Sequence, residues 1–217
     1  MINNEETDAL LTTTITNNPI QENFFKRFKK SNQGKITLIV LFLLNIINQV
    51  DRYIISSVLI DIQEYYDVTK STAGLLQTVY LIFYMIISPF VGYLGDRVNR
   101  KYLLIASILL WMSATIAGSL FQQEQFSYFV ASRCLFGIAT GFFGPILVPI
   151  IGDQFANNQS WRDRALVFIN IGPPLGIGIA FLIGVVSKDW ISDDWRYSMR
   201  FSPILLFILL IIILVFY

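Results

Sequence analysis

Gly92-Tyr93-Leu94-Gly95-Asp96-Arg97-Val98-Asn99-Arg100-Lys101 is the stretch whose reading decides the fold. It packs Asp96, Arg97, Arg100 and Lys101 into one compact turn between two long apolar runs. A soluble protein has no reason to place a charged hairpin there, whereas a chain that recrosses a membrane needs one. A hydrocarbon core roughly 30 Å thick takes about 20 apolar residues as helix. In lipid, only helices and closed barrels satisfy the backbone polar groups. The runs here are continuous rather than alternating, which selects helices. Working outward from the hairpin gives six spans, at about 36–60, 72–93, 102–121, 127–152, 165–187 and 201–217.

Composition agrees with a lipid solvent. Hydrophobic residues make up 54% of the chain and charged residues 14%, with a mean hydropathy of +0.58. Ordinary globular domains carry about 25% charged residues. A net charge of +1 points to neither nucleic acid nor a strongly acidic partner. The lone Cys134 excludes an internal disulfide and a cysteine metal cluster. Histidine is absent, which removes the commonest general base and metal ligand. No cofactor or metal is expected, and no Ser–Lys or paired-carboxylate constellation supports an intramembrane enzyme. Residues 1–35 are polar, lack the apolar core of a signal peptide, and are expected to form a disordered cytosolic tail.

Basic residues near the span ends set the orientation. Lys26, Arg27, Lys29, Lys30, Lys35, Arg97, Arg100, Lys101, Arg162 and Arg164 fall on one side, against Lys70, Lys188, Arg196 and Arg200 on the other. The N-terminus is therefore expected in the cytosol, and the sequon Asn158-Gln159-Ser160 with it, unmodified. Glu6-Thr7-Asp8-Ala9-Leu10-Leu11 matches the short acidic dileucine pattern read by endosomal sorting adaptors. Trp190, Trp195 and Tyr197 are expected in an interfacial aromatic belt. The last span is short, and the layout looks like half of a larger assembly.

Charges within the spans are expensive and call for a partner or water. Asp51 and Arg52 lie late in span 1, and Arg133 lies early in span 4. On a helical wheel Asn45, Asn48, Asp51, Arg52 and Ser56 share an arc of about 160°. Arg133, Gly137, Thr140 and Gly144 likewise share a face of span 4. A salt link from Asp51 to Arg133 is expected, either as a fixed ion pair in the packing or as a proton-sensitive pair beside a substrate cavity. In span 5, Gly172-Pro173-Pro174-Leu175-Gly176-Ile177-Gly178 combines small residues with ladder-breaking prolines. That reads as close helix packing or as a bend on which one bundle rocks against another.

The hairpin pattern Gly-x-x-x-Asp-Arg-x-x-Arg-Lys resembles the signature loop of major facilitator superfamily carriers. Further marks are Asn45-Ile46-Ile47-Asn48-Gln49-Val50-Asp51-Arg52, Ser132-Arg133-Cys134-Leu135-Phe136-Gly137, and Trp195-Arg196 followed by Met199-Arg200-Phe201-Ser202-Pro203. In this order they resemble the first half of a spinster-family protein, over about residues 36–210. The resemblance implies the six-helix N-terminal bundle of an all-α carrier working by alternating access, proton-linked, with lysophospholipid or sphingoid lipid as cargo. It implies Asp51 as the proton-binding carboxylate and Arg133 as its charge partner. Asn45, Asn48, Arg52, Gly137 and Thr140 would line the cavity, and Gly92, Asp96, Arg97, Arg100 and Lys101 would form the gating loop. A second six-helix half is the implied partner. Late endosome or lysosome is the favoured compartment, with the plasma membrane as the alternative. Thr140 stands where family members usually carry a glutamate. The competing expectation is a truncated, non-transporting protein that pairs with or regulates a full-length relative.

Overall fold

Punctuation in the sequence sets the helix ends. The computed structural model describes residues 19–156, 158–187 and 195–216. Its α-helices are α1 (Pro19–Ser57), α2 (Leu59–Tyr66), α3 (Lys70–Gly95), α4 (Arg100–Leu120), α5 (Phe126–Gln154), α6 (Gln159–Asn170), α7 (Gly172–Val186) and α8 (Tyr197–Phe216). A 3-10 turn, Gln123–Gln125, precedes α5. Thr69, Asn99 and Asn158 cap α3, α4 and α6, each accepting a bond from a backbone N–H of the first turn. Asn158, the sequon asparagine, is thus spent on a helix cap.

Among the described residues six stretches are long and apolar enough to cross a membrane, as expected: Gly34–Ser57, Lys70–Gly95, Arg100–Leu120, Gln123–Gln154, Gln159–Val186 and Tyr197–Val215. The first helix differs from expectation at its start, because it begins at Pro19 rather than near residue 36. Proline suits a first helical turn, and residues 20–33 contain no proline or glycine to stop the helix. The hairpin is tighter than expected, with only residues 96–99 between α3 and α4. The fifth span is broken: α6 stops at Asn170, Ile171 forms a turn, and α7 restarts with Pro173 and Pro174 in its first turn. The dileucine pattern, Lys188 and Trp190 lie outside the described residues.

The spans pack in a definite order. α3 lies on α5, α5 on α4, α4 on α8, α8 on α1, and α1 on α7. Leu44, Ile108, Trp111, Phe136, Phe143 and Leu206 fill the central core. Two glycines permit the closest backbone approaches. A Cβ on Gly137 would stand 2.5 Å from the Tyr80 carbonyl oxygen of α3, and one on Gly176 2.6 Å from that of Ile46 on α1. A second cluster closes the end of the bundle where α2 and the start of α8 meet. There Trp195 is buried among Tyr65, Tyr66 and Phe129, with ring centroids 5.7–6.2 Å apart. Trp195 therefore leaves the expected aromatic belt for the core, because α2 supplies aromatic partners that a bare loop would lack. Tyr197 is exposed.

Candidate functional site

Asp51 sits in the last two turns of α1 and is 2% exposed. The Trp111 indole N–H of α4 donates to its Oδ2 at 2.7 Å, and the Ser202 hydroxyl of α8 donates to the same oxygen. Two neutral donors from different spans thus hold one carboxylate oxygen. Neither was singled out from sequence as a partner, yet a signal existed for Trp111: an indole N–H in the middle of an apolar run needs an acceptor.

Arg133 is 5% exposed on α5. Among the described residues no ion pair joins it to Asp51, which corrects the expected salt link. Its Nη2 donates to the Met199 sulfur at 3.5 Å, and its guanidinium carbon lies 5.4 Å and 5.5 Å from the Phe129 and Phe136 ring centroids. Its Nε is buried without a hydrogen-bond partner. Asp51 and Arg133 are nonetheless near enough for each charge to act on the other. Trp111 and Ser202 engage Oδ2 of the carboxylate, while Met199 and the two aromatic rings engage the guanidinium, and no direct bond joins the two groups. Tyr66, in α2 outside the spans, also interacts with the Arg133 charge; burial pushes its phenol up to about 12, against the pull of Arg196. It stays a neutral hydroxyl.

The remaining expected cavity residues divide by role. Asn45 donates its side-chain amide to the Ile169 carbonyl at 3.0 Å. In an unbroken helix that carbonyl would accept from residue 173, which is a proline with no N–H. Asn45 therefore replaces the donor that Pro173 lacks and fastens α1 to the break in span 5. Asn48 is buried with its Nδ2 unpartnered. Arg52 lies 5.3 Å from the Tyr80 ring centroid and 5.6 Å from that of Tyr53. Ser56, the far end of the expected polar stripe, is exposed. Gly137 is a helix contact rather than an opening, given its approach to Tyr80. The Thr140 hydroxyl donates back to the Phe136 carbonyl at 2.9 Å.

In the hairpin, Arg100 does the joining. Its Nε donates to the Gly95 carbonyl at 3.1 Å and its Nη1 to the Pro149 carbonyl at 3.3 Å. It also pairs with Asp153, and lies 3.7 Å from Asp96. One guanidinium thus ties the end of α3, the start of α4 and the end of α5. Asp153, from outside the motif, was missed from sequence, since its place beside the hairpin depends on how α5 packs. Asp96 and Arg97 are exposed, and Arg97 covers the Tyr93 ring at 4.3 Å. The Lys101 backbone N–H is taken by the Asn99 cap. A Cβ on Gly92 would meet nothing within 4 Å.

The sequence profile of the Major Facilitator Superfamily matches residues 41–217. The sphingosine-1-phosphate transporter SPNS2 of Danio rerio is 40% identical over 161 residues, 74% of this chain and 31% of its own length. Protein spinster of Drosophila melanogaster is 37% identical over 169 residues, 78% of this chain and 27% of its own. The chain spans about a third of the length of the curated relatives it matches. Among solved structures, a bacterial homolog of the human lysosomal transporter Spinster, inward-facing and unoccupied, superposes with a TM-score of 0.71 at 18% identity, over 87% of this chain and 43% of its own. The proton:xylose symporter XylE gives 0.72 at 17% identity, over 85% and 45%. At such identities the superpositions speak for the fold alone. Profile, relatives and fold agree: this chain belongs to the major facilitator superfamily, as a spinster-like N-terminal six-helix bundle.

Proposed function

We propose that this bundle serves an alternating-access carrier that moves lysophospholipid or sphingoid lipid, driven by a proton gradient through Asp51. The observation that carries the reading is a carboxylate buried where α1, α4 and α8 meet, held by neutral donors and near an arginine it does not bond. Such a carboxylate can take up a proton without first breaking an ion pair. Protonation of the oxygen that accepts from both Trp111 and Ser202 would displace a donor and loosen the tie from α1 to α4 or α8. It would also leave the Arg133 charge unbalanced, favouring a different contact between helices. Lipid cargo is supported by the similarity to the sphingosine-1-phosphate transporter and the spinster proteins. In this reading a second six-helix half completes the cavity. The N-terminus is cytosolic and the home compartment is the late endosome or lysosome.

The test is uptake of labelled lysophosphatidylcholine or sphingosine into vesicles carrying the protein, with and without an imposed pH gradient. Gradient-dependent uptake that is lost in Asp51→Asn and partly kept in Asp51→Glu is expected. Uptake that ignores the gradient, or that survives in Asp51→Asn, removes the proton-coupling role. No uptake by the wild-type chain when it is joined to a second six-helix half removes the transport reading.

A further inference from the structure

Met199 and Ser202 stand three residues apart on α8, which places them on one side of that helix. Both are buried, at 1% and 4% exposure. Each touches one member of the charged centre: the Ser202 hydroxyl donates to Asp51, and the Met199 sulfur accepts from Arg133 Nη2 at 3.5 Å. Met199 is positioned from α4, where Gly118 leaves room for the methionine methyl; a Cβ there would stand 3.3 Å from it. Among the described residues the sulfur is the one hydrogen-bond acceptor of the Arg133 side chain, whose Nε has none. A thioether is a weak acceptor for a group with five N–H donors. A better acceptor lies near enough to feel the Arg133 charge. Both side-chain bonds to Asp51 fall on Oδ2, and Oδ1 keeps its lone pairs.

We propose that Met199 is a positioning residue: its sulfur holds the Arg133 guanidinium off the second oxygen of Asp51, so that the carboxylate stays open to a proton. The inference deepens the proton-coupling role proposed for Asp51 and rests on it. Without the sulfur the guanidinium would turn to Oδ1, because a charge within a span needs a partner. The ion pair so formed would favour the charged acid. Other groups around the centre do not replace this contact. Arg52, next to Asp51 in the chain, lies against Tyr53 and Tyr80, and Arg200 on α8 donates to the Ser119 carbonyl. α7 carries no charged residue, and Tyr66, which acts on Arg133 from α2, stays a neutral phenol.

The experiment titrates the full chain in phosphatidylcholine vesicles by infrared spectroscopy. The carbonyl stretch of protonated Asp51 is the band that Asp51→Asn lacks. In Met199→Leu its midpoint should move to acid by about one pH unit, the low end of what an arginine partner does to a carboxylate. In Met199→Gln, whose amide oxygen again accepts from Arg133, the midpoint should stay near that of the wild type. A packing role alone predicts the opposite order, because leucine suits a methionine site and a buried glutamine does not. Leu206→Ala removes buried packing further along α8, and should lower the melting temperature while leaving the midpoint in place. Met199→Ile removes the sulfur by a second route, with the same expectation, and carries the test if Met199→Leu folds poorly. An unmoved midpoint in the folded sulfur-free variant overturns the role of Met199, as does an equal shift in Met199→Gln. Absence of any Asp51 band overturns proton uptake by Asp51 and this inference with it. Failed lipid uptake with the midpoints as expected removes transport and leaves the role of Met199 standing.

Discussion

Replacing Asn45 by leucine keeps the branching and the number of side-chain heavy atoms and deletes the donor that serves the Ile169 carbonyl. The bond is 3.0 Å long and buried, and the carbonyl belongs to the stretch where Pro173 cannot supply its own N–H. Leaving a buried acceptor unmet costs about 1–3 kcal/mol. Measured hydrogen bonds between membrane helices fall lower, averaging about 0.6 and reaching about 1.7 kcal/mol, because the unfolded chain in lipid also finds partners. A loss of about 1–2 kcal/mol is therefore expected for Asn45→Leu. The decisive measurement is a double-mutant cycle. Pro173→Ala restores an N–H at the position that would serve Ile169 in a continuous helix, so Asn45→Leu should matter less in that background. Unfolding in mixed micelles, followed by tryptophan fluorescence, gives the four stabilities, and a coupling of about 0.6–1.7 kcal/mol is expected. Additivity to within about 0.3–0.5 kcal/mol would mean that the asparagine and the proline do not share one carbonyl. The account of the span 5 break would then fail.

Gly176→Leu should destabilise the protein by about 1–3 kcal/mol in the same unfolding assay, because its Cβ has no space between Ile46 and Gln49; Gly178→Leu, where a Cβ meets nothing within 4 Å, is the control and should be near neutral. Arg100→Lys should recover little of the stability lost in Arg100→Ala, since a lysine cannot reach the Gly95 and Pro149 carbonyls and Asp153 together; full recovery would reduce Arg100 to a point charge. Trp111→Phe removes one of the two donors to the Asp51 carboxylate and should cost about 1.5–3 kcal/mol, read as a drop in melting temperature. An unchanged melting temperature would show that Asp51 does not depend on the indole.

The spans were legible because lipid imposes one simple rule, a long apolar run for each crossing, and the charged hairpin could only be a turn. Asp51 and Arg133 were legible because a charge in such a run is rare enough to stand out. What holds them was less so. The Asp51 carboxylate is served from 60 and 151 residues away in sequence, by a tryptophan and a serine that look like ordinary members of apolar helices. Opposite charges on two spans invited an ion pair, but charge alone does not say which neutral donors arrive first. Asn45 was read as a cavity residue because its face of the wheel is polar; only the placement of α6 and α7 shows that it answers a proline. Trp195 was misplaced for a related reason. An aromatic residue before a span suits an interface, and the burial of this one depends on how α2 folds against the start of α8.

The packing order adds something that no single span carries. Taking Gln159–Val186 as the fifth span, the order across the bundle is second, fourth, third, sixth, first, fifth. Exchanging each span with the one three places along returns the same order reversed, as expected of an internal three-helix repeat. The exchange pairs the first span with the fourth and the third with the sixth. Those four spans carry Asp51, Arg133, Trp111 and Ser202, the side chains of the charged centre. The chemistry there is not symmetric. The first span brings an acid from its late turns and the fourth a base from its early turns, and the two donors from the third and sixth spans both converge on the acid. The base has a sulfur and aromatic faces instead. In the proposed carrier, protonating that acid would free a donor from the third or sixth span, an effect with no counterpart at the base.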